Sequence, residues 1–155
     1  MDEKELRNGY TTGSCAAAGV KAALMFLLYH ISLQEVEIET PKGEELVIPI
    51  TKVRRRGKFA SAVVQKYAGD DPDVTNGISI CVKVSLEKEF PKIERGISKE
   101  KCFLYGGRGV GLVTKKGLQV PVGKSAINPG PQKMIEKVVQ DILQDLDEKA
   151  IICIY

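Results

Sequence analysis

Ile78-Ser79-Ile80-Cys81-Val82-Lys83-Val84-Ser85-Leu86 carries an apolar residue at every even position. That period of two is the mark of a strand with one face buried. Working outward, similar runs near 35–40, 44–50, 59–66, 101–105 and 118–122 predict further strands, and Ala150–Tyr155 predicts a last one. Most connections are short, so antiparallel pairing should dominate. Two segments follow the helical period instead. Ser14–Tyr29 is one; 132–146 is the other, with Met134, Ile135, Val138, Val139, Ile142, Leu143 and Leu146 in one stripe. The expected fold is α+β: a mixed, mainly antiparallel sheet with two helices packed on one face. A terminal strand as apolar as Ile151-Ile-Cys-Ile-Tyr155 needs a partner, since left unpaired it is an aggregation edge.

A chain of 155 residues suits one domain, 1–155, able to bury roughly 70% of the surface its unfolded form exposes. With 43% hydrophobic and 28% charged residues, the composition is that of a globular domain rather than a disordered one. The longest apolar run, Ala22–Tyr29, is short for a bilayer. The charged first residues precede no cleavable apolar region. The expectation is therefore a cytoplasmic protein with no membrane partner. Cys15, Cys81, Cys102 and Cys153 form no C-x-x-C pair and read as reduced core thiols, with no zinc site. His30, the sole histidine, should meet the closing carbonyls of the first helix. One histidine leaves no basis for a triad.

Arg54-Arg55-Arg56-Gly57-Lys58 lies between two strand-like runs. It reads first as a solvated hairpin tip, and second as a guanidinium arm for carboxylates. A nucleic-acid partner is the third reading, but aromatic residues make up only 6% of the chain and no stacking motif accompanies the arginines. No nucleic-acid partner is expected.

Immediately before the quoted strand stands Lys66-Tyr-Ala-Gly-Asp-Asp-Pro-Asp-Val-Thr-Asn-Gly77. Asp70, Asp71, Asp73, Thr75 and Asn76 crowd within seven residues, more polar chemistry than a turn needs. An EF-hand fails on spacing, because Asn76 takes the glycine position and Val82 the closing glutamate position. A looser magnesium site, which needs only one or two carboxylates beside waters and ligand oxygens, stays open, but no resident metal is assigned. The structural reading is an Asx-rich turn; the functional one is a loop of ligand-facing groups at the mouth of a sheet.

Three further clusters stand out. In Gly9-Tyr-Thr-Thr-Gly-Ser-Cys-Ala-Ala-Ala18, Ser14 or Thr12 can cap the first helix. Thr11, Thr12 and Ser14 thus collect hydroxyls at a helix N-terminus suited to phosphates and carboxylates. The small residues that follow allow a close approach by backbone or ligand. Gly106-Gly-Arg-Gly-Val-Gly111 lacks the Rossmann fingerprint, since Leu112 stands where a glycine is required. Gly107, Gly109 and Gly111 still imply positive φ or backbone passing close to something. Gly123-Lys-Ser-Ala-Ile-Asn-Pro-Gly-Pro131 is not a P-loop, because Leu118 occupies the upstream glycine position. Asn128 and the prolines make a stiff lead into the second helix.

Taken together, these clusters resemble the CbiD family, the cobalt-precorrin-5B C1-methyltransferases of anaerobic cobalamin (vitamin B12) biosynthesis. The matching residues are Gly9–Ala18, Ala68–Gly77, Gly107–Thr114 with Lys116–Leu118, and Ala126–Pro129, in the family's order. Two departures are visible: Gln132 follows Pro131 where the family usually has arginine, and members are about twice this length. The resemblance implies a CbiD-like N-terminal domain without the family's C-terminal half, which a partner domain or chain would supply. It also implies methyl transfer from S-adenosylmethionine to C1 of a cobalt-precorrin tetrapyrrole, giving cobalt-precorrin-6A.

On residue chemistry, Asp70, Asp71 and Asp73 are the groups that face a sulfonium, and Gly107, Gly109 and Gly111 a cofactor loop. Thr11, Thr12, Ser14, Thr75, Asn76 and Asn128 are candidates for the polycarboxylate substrate, with Arg54–Arg56 or Arg108 as additional cations. The second reading is a non-catalytic module that binds the tetrapyrrole or the cofactor.

Overall fold

The computed structural model describes residues 11–66 and 77–155. Helix α1 (Thr12–Tyr29) is followed by strands β1 (Glu35–Glu39), β2 (Glu45–Pro49), β3 (Lys52–Arg56), β4 (Phe59–Gln65) and β5 (Ser79–Glu87). Strands β6 (Ile97–Ser98) and β7 (Cys102–Gly106), helix α2 (Pro129–Leu143) and strand β8 (Lys149–Ile154) complete it. One sheet has the order β3-β4-β5-β8-β7-β6, while β1 and β2 form a separate antiparallel hairpin. Pairing in the large sheet is antiparallel except between β7 and β8. That pair is joined through α2, as a parallel crossover requires. The α+β architecture legible in the sequence is the one observed.

Helix α1 packs on β3, β4 and β5, and α2 packs beside α1. Ala60, Ala62, Val64, Val82 and Val84 are buried on the strand face turned to α1. A Cβ added to Gly19 would lie 3.0 Å from Val82 Cγ2. The small residues of α1 thus let its backbone settle onto the sheet, leaving no gap there for a ligand. Residues 13–24 of α1 are buried apart from Lys21. By length and composition α1 could cross a membrane, a feature missed by counting Ala22–Tyr29 alone; its burial is that of a core helix. Ile135, Val139 and Leu143 of α2 join Leu104 and Ile152 in the same core. Strand β8 is paired on both sides, with Ile152 and Ile154 buried and Ile151 half-buried.

Several expectations are corrected. Residues 118–122 form no strand: Gly117 and Gly123 flank them at φ +86° and +89°, Pro121 lacks an N–H, and Leu118 and Val122 are exposed. Arg54, Arg55 and Arg56 are not in a tip but in β3, paired with Ser61, Ala60 and Phe59. The turn is only Gly57-Lys58, and Gly57 at φ +61° occupies the position where a type II′ turn takes glycine. Helix α2 begins at Pro129 rather than 132, because a first helical turn has no need of the N–H groups that proline lacks. Thr11, not Ser14 or Thr12, is the N-cap of α1. His30 closes α1 with its backbone: at φ 58° its N–H reaches the carbonyls of Met25 and Phe26, a left-handed cap.

The four cysteines are free. Burial pushes the Cys15 thiol up to about 11 and the Cys102 thiol up to about 12, so both are inert at neutral pH.

Candidate functional site

Strands β4, β7 and β8 end, and β5 begins, at one edge of the sheet. There Cys81 and Tyr155 exchange backbone hydrogen bonds of 2.8 and 2.9 Å. The motif-bearing segments gather at this edge. Residues 67–76, which hold Asp70, Asp71, Asp73, Thr75 and Asn76, lie outside the described residues. Their flanks are fixed: Lys66 N–H donates to Ile78 O and Gly77 N–H to Lys66 O, both at 2.8 Å. The charge of Lys66 opposes the burial that raises the Cys15 thiol.

In that first turn, Thr11 Oγ1 accepts the Ser14 N–H at 3.0 Å. The Ser14 hydroxyl donates to Thr11 O at 3.0 Å. Ser14 is fully buried and engaged within the cap, whereas Thr11 and Thr12 are exposed. A Cβ on Gly13 would lie 2.7 Å from Pro131 Cγ, so the first turns of α1 and α2 abut. Neither turn contains an acidic residue. The partial positive charge of two adjacent helix N-termini is therefore uncompensated by their own sequence. Asn128, the N-cap of α2, makes no side-chain capping bond and is exposed. Gln132 is buried, its amide donating to Ile127 O at 2.7 Å. Beside Thr11, a cleft of about 400 Å³ opens between the Thr40–Lys42 turn and Met134.

The glycine loop joins this assembly from β7. Gly107 N–H donates to Ile154 O, and Ala126 N–H to Gly111 O, both at 2.8 Å. Ser125 Oγ accepts the Gly106 N–H at 2.9 Å and donates to Arg95 O at 3.0 Å. Arg95 Nε returns to Gly106 O at 2.9 Å, and its guanidinium lies 5.2 Å from the Tyr105 ring centroid. Ser125 and Arg95, which sequence reasoning passed over, set the loop's position. The only sequence signal was Ser125 within Gly123-Lys-Ser.

The three glycines differ in kind. Gly109 has φ +86°; a Cβ added to Gly107 would lie 3.0 Å from Cys153 Sγ; Gly111 is in open space. Gly109→Ala is expected to cost about 1 kcal/mol and Gly111→Ala less than about 0.5 kcal/mol, measured by urea denaturation. Equal effects would show that backbone conformation is not what distinguishes them.

Among the described residues no three His, Cys, Asp or Glu side chains gather as a metal-ligand set. What the edge offers is backbone and hydroxyl donors for anions, together with glycines that let a ligand reach the main chain.

The family model described as CbiD matches residues 1–155. The cobalt-precorrin-5B C(1)-methyltransferase of Fusobacterium nucleatum is 63% identical over 155 residues, which is 100% of this chain and 41% of that protein. The enzyme of the same name from Methanocaldococcus jannaschii is 47% identical over 142 residues, covering 92% of this chain and 37% of the relative. A crystal structure described as a cobalamin biosynthesis protein (cbiD) from Archaeoglobus fulgidus superposes with a TM-score of 0.62 at 26% identity. It covers 96% of this chain and 44% of its own. The chain thus spans about 40% of the length of the curated relatives it matches.

Proposed function

The chain belongs to the CbiD family, and from that premise we propose that it is the tetrapyrrole-handling part of a cobalt-precorrin-5B C1-methyltransferase. The reaction is the S-adenosylmethionine-dependent methylation that gives cobalt-precorrin-6A in anaerobic cobalamin biosynthesis. The 63% identity over all 155 residues to a relative bearing that enzyme's name carries the reading. The gathering of the motifs at one sheet edge suggests where in the chain the function lies.

S-adenosylmethionine supplies an electrophilic methyl group on a sulfonium. The ring carbon C1 attacks it in line, so the protein's task is positioning more than proton transfer. Asp70, Asp71 and Asp73 are assigned to the sulfonium charge. Gly107, Gly109 and Gly111 are assigned to cofactor backbone contacts, consistent with the way Gly107 lets the loop lie against Cys153. Thr11, Thr12, Thr75, Asn76 and Asn128 face the substrate's carboxylates, and Ser14 supports them by holding Thr11. The remainder of a full-length relative, as a further domain or a partner chain, completes the site.

A specific observation supports a second reading, of binding without turnover: the chain covers only 41% of the Fusobacterium relative. The test is an assay of residues 1–155 and of a full-length version with cobalt-precorrin-5B and S-adenosylmethionine, following the methylated product by mass. Turnover by the full-length protein and binding without turnover by 1–155 are expected. Absence of methylation by the full-length protein refutes the proposal, and turnover by 1–155 alone refutes the need for a second part.

A further inference from the structure

Among the described residues, the face of the large sheet turned away from α1 is open over β3, β4 and the first part of β5, Ser79–Lys83, whereas Ser85 beyond it is buried. Register places Lys52, Arg54, Lys83, Val63 and Cys81 together on that face. Arg55 points the other way, its guanidinium reaching Leu27 O of α1. Val63 and Cys81 are half-buried, and the cations are exposed. Across β3, β4 and β5 the acidic member of this face is Glu87, and it is paired with Lys58 at 3.0 Å. Lys52, Arg54 and Arg56 have no carboxylate partner among the described residues, and Lys83 lies 4.9 Å from the Phe59 ring centroid.

Cations on an edge strand ordinarily guard it against strand addition. That accounts for β3, but not for Lys83 on the inner strand β5 or for the apolar floor beside it. We propose that this face is the bed on which the carboxylate-fringed tetrapyrrole rests, its acid arms on Lys52, Arg54, Arg56 and Lys83 and its ring against Val63 and Cys81. The inference rests on the methyltransferase reading above and adds a surface to it. Three strands at about 4.8 Å spacing span about 10 Å between the outer two, of the order of a tetrapyrrole ring, with the long cationic side chains left to meet its acid arms. The bed adjoins the motif edge, since Cys81 pairs with Tyr155 there. Arginine offers each carboxylate a two-pronged donor. Single exposed ion pairs are weak, and it is the number of charges on one ligand that makes the contact selective.

The test titrates cobyrinic acid, a corrinoid with free carboxylates, and its fully amidated counterpart into the full-length protein, following visible absorption. Arg54→Glu with Lys83→Glu is expected to weaken cobyrinic acid binding about tenfold or more, equivalent to about 1.4 kcal/mol. Gln140→Glu, exposed toward the far end of α2, should leave it within about twofold, and the amidated compound should not distinguish the variants. If the double reversal unfolds the protein, Arg54→Gln with Lys83→Gln replaces it, with about threefold weakening expected. Equal binding by wild type and variant overturns the assignment while leaving the methyltransferase reading intact, as does equal weakening by Gln140→Glu. Shielding of Lys52 and Lys83 from a small acylating reagent before ligand is added shows that polypeptide covers the face, and also overturns it. No binding by the wild type removes the methyltransferase reading itself.

Discussion

Replacing Asp70, Asp71 or Asp73 singly by asparagine in the full-length protein is expected to lower methyl transfer by about 10²-fold. The melting temperature should stay within a few degrees. Asparagine keeps the size of aspartate and a side-chain oxygen able to accept the turn hydrogen bond but removes the charge that would face a sulfonium. The residues flanking the segment are joined to one another by bonds that need no carboxylate: Lys66 N–H to Ile78 O, Gly77 N–H to Lys66 O, and the Gln65 amide to Gly77 O at 3.1 Å. Folding should therefore survive the loss of charge. Single-turnover transfer of labelled methyl, read beside thermal melts, separates the cases. If all three variants unfold, the carboxylates are turn residues; if all three retain full turnover, the sulfonium role fails.

What the sequence disclosed, and what it hid, follows from the range of the interactions involved. Strand β5 was legible because its two faces differ: Ile80, Val82 and Val84 are buried while Lys83 is exposed. Helix α2 was legible because its stripe faces one core. Strand β3 was not, since Lys52–Arg56 carries four cations and one apolar residue, and an edge strand with an uncovered face needs no alternation. The mismatch at 118–122 has the opposite cause: its residues suit a strand, but flanking glycines and Pro121 turn the backbone away.

The assembly of the candidate site was beyond sequence reasoning altogether. It depends on the last strand, β8, inserting between β5 and β7, which brings Gly107 to Ile154 and Cys81 to Tyr155. No local pattern announces a pairing between residues so far apart in the chain. Ser14 or Thr12 could be read as the start of one helix and Asn128 as the lead into the other, but only the Gly13–Pro131 contact shows that both helices start at one place.

Phe103→Ala is expected to be among the most destabilising substitutions, at about 3–5 kcal/mol, and it bears on why one half of the sheet face is closed and the other open. Phe103 lies on the same face as Lys83, one strand beyond β8, yet it is only 2% exposed while Phe59 is 36% exposed. The difference is the segment after β5. Phe90 stacks on Phe103 with centroids 5.7 Å apart, and Gly96 passes so close that an added Cβ would fall 1.8 Å from Phe103 Cζ. Gly96→Ala should cost about 1–3 kcal/mol by overpacking. Combined with Phe103→Leu, which vacates part of that space, the cost should fall below the sum of the singles by about 0.5 kcal/mol or more. Urea denaturation of the four proteins gives this coupling directly. Additive losses would mean that Gly96 and Phe103 do not share the space, and the contrast between a closed half and an open half of the sheet would lose its structural basis.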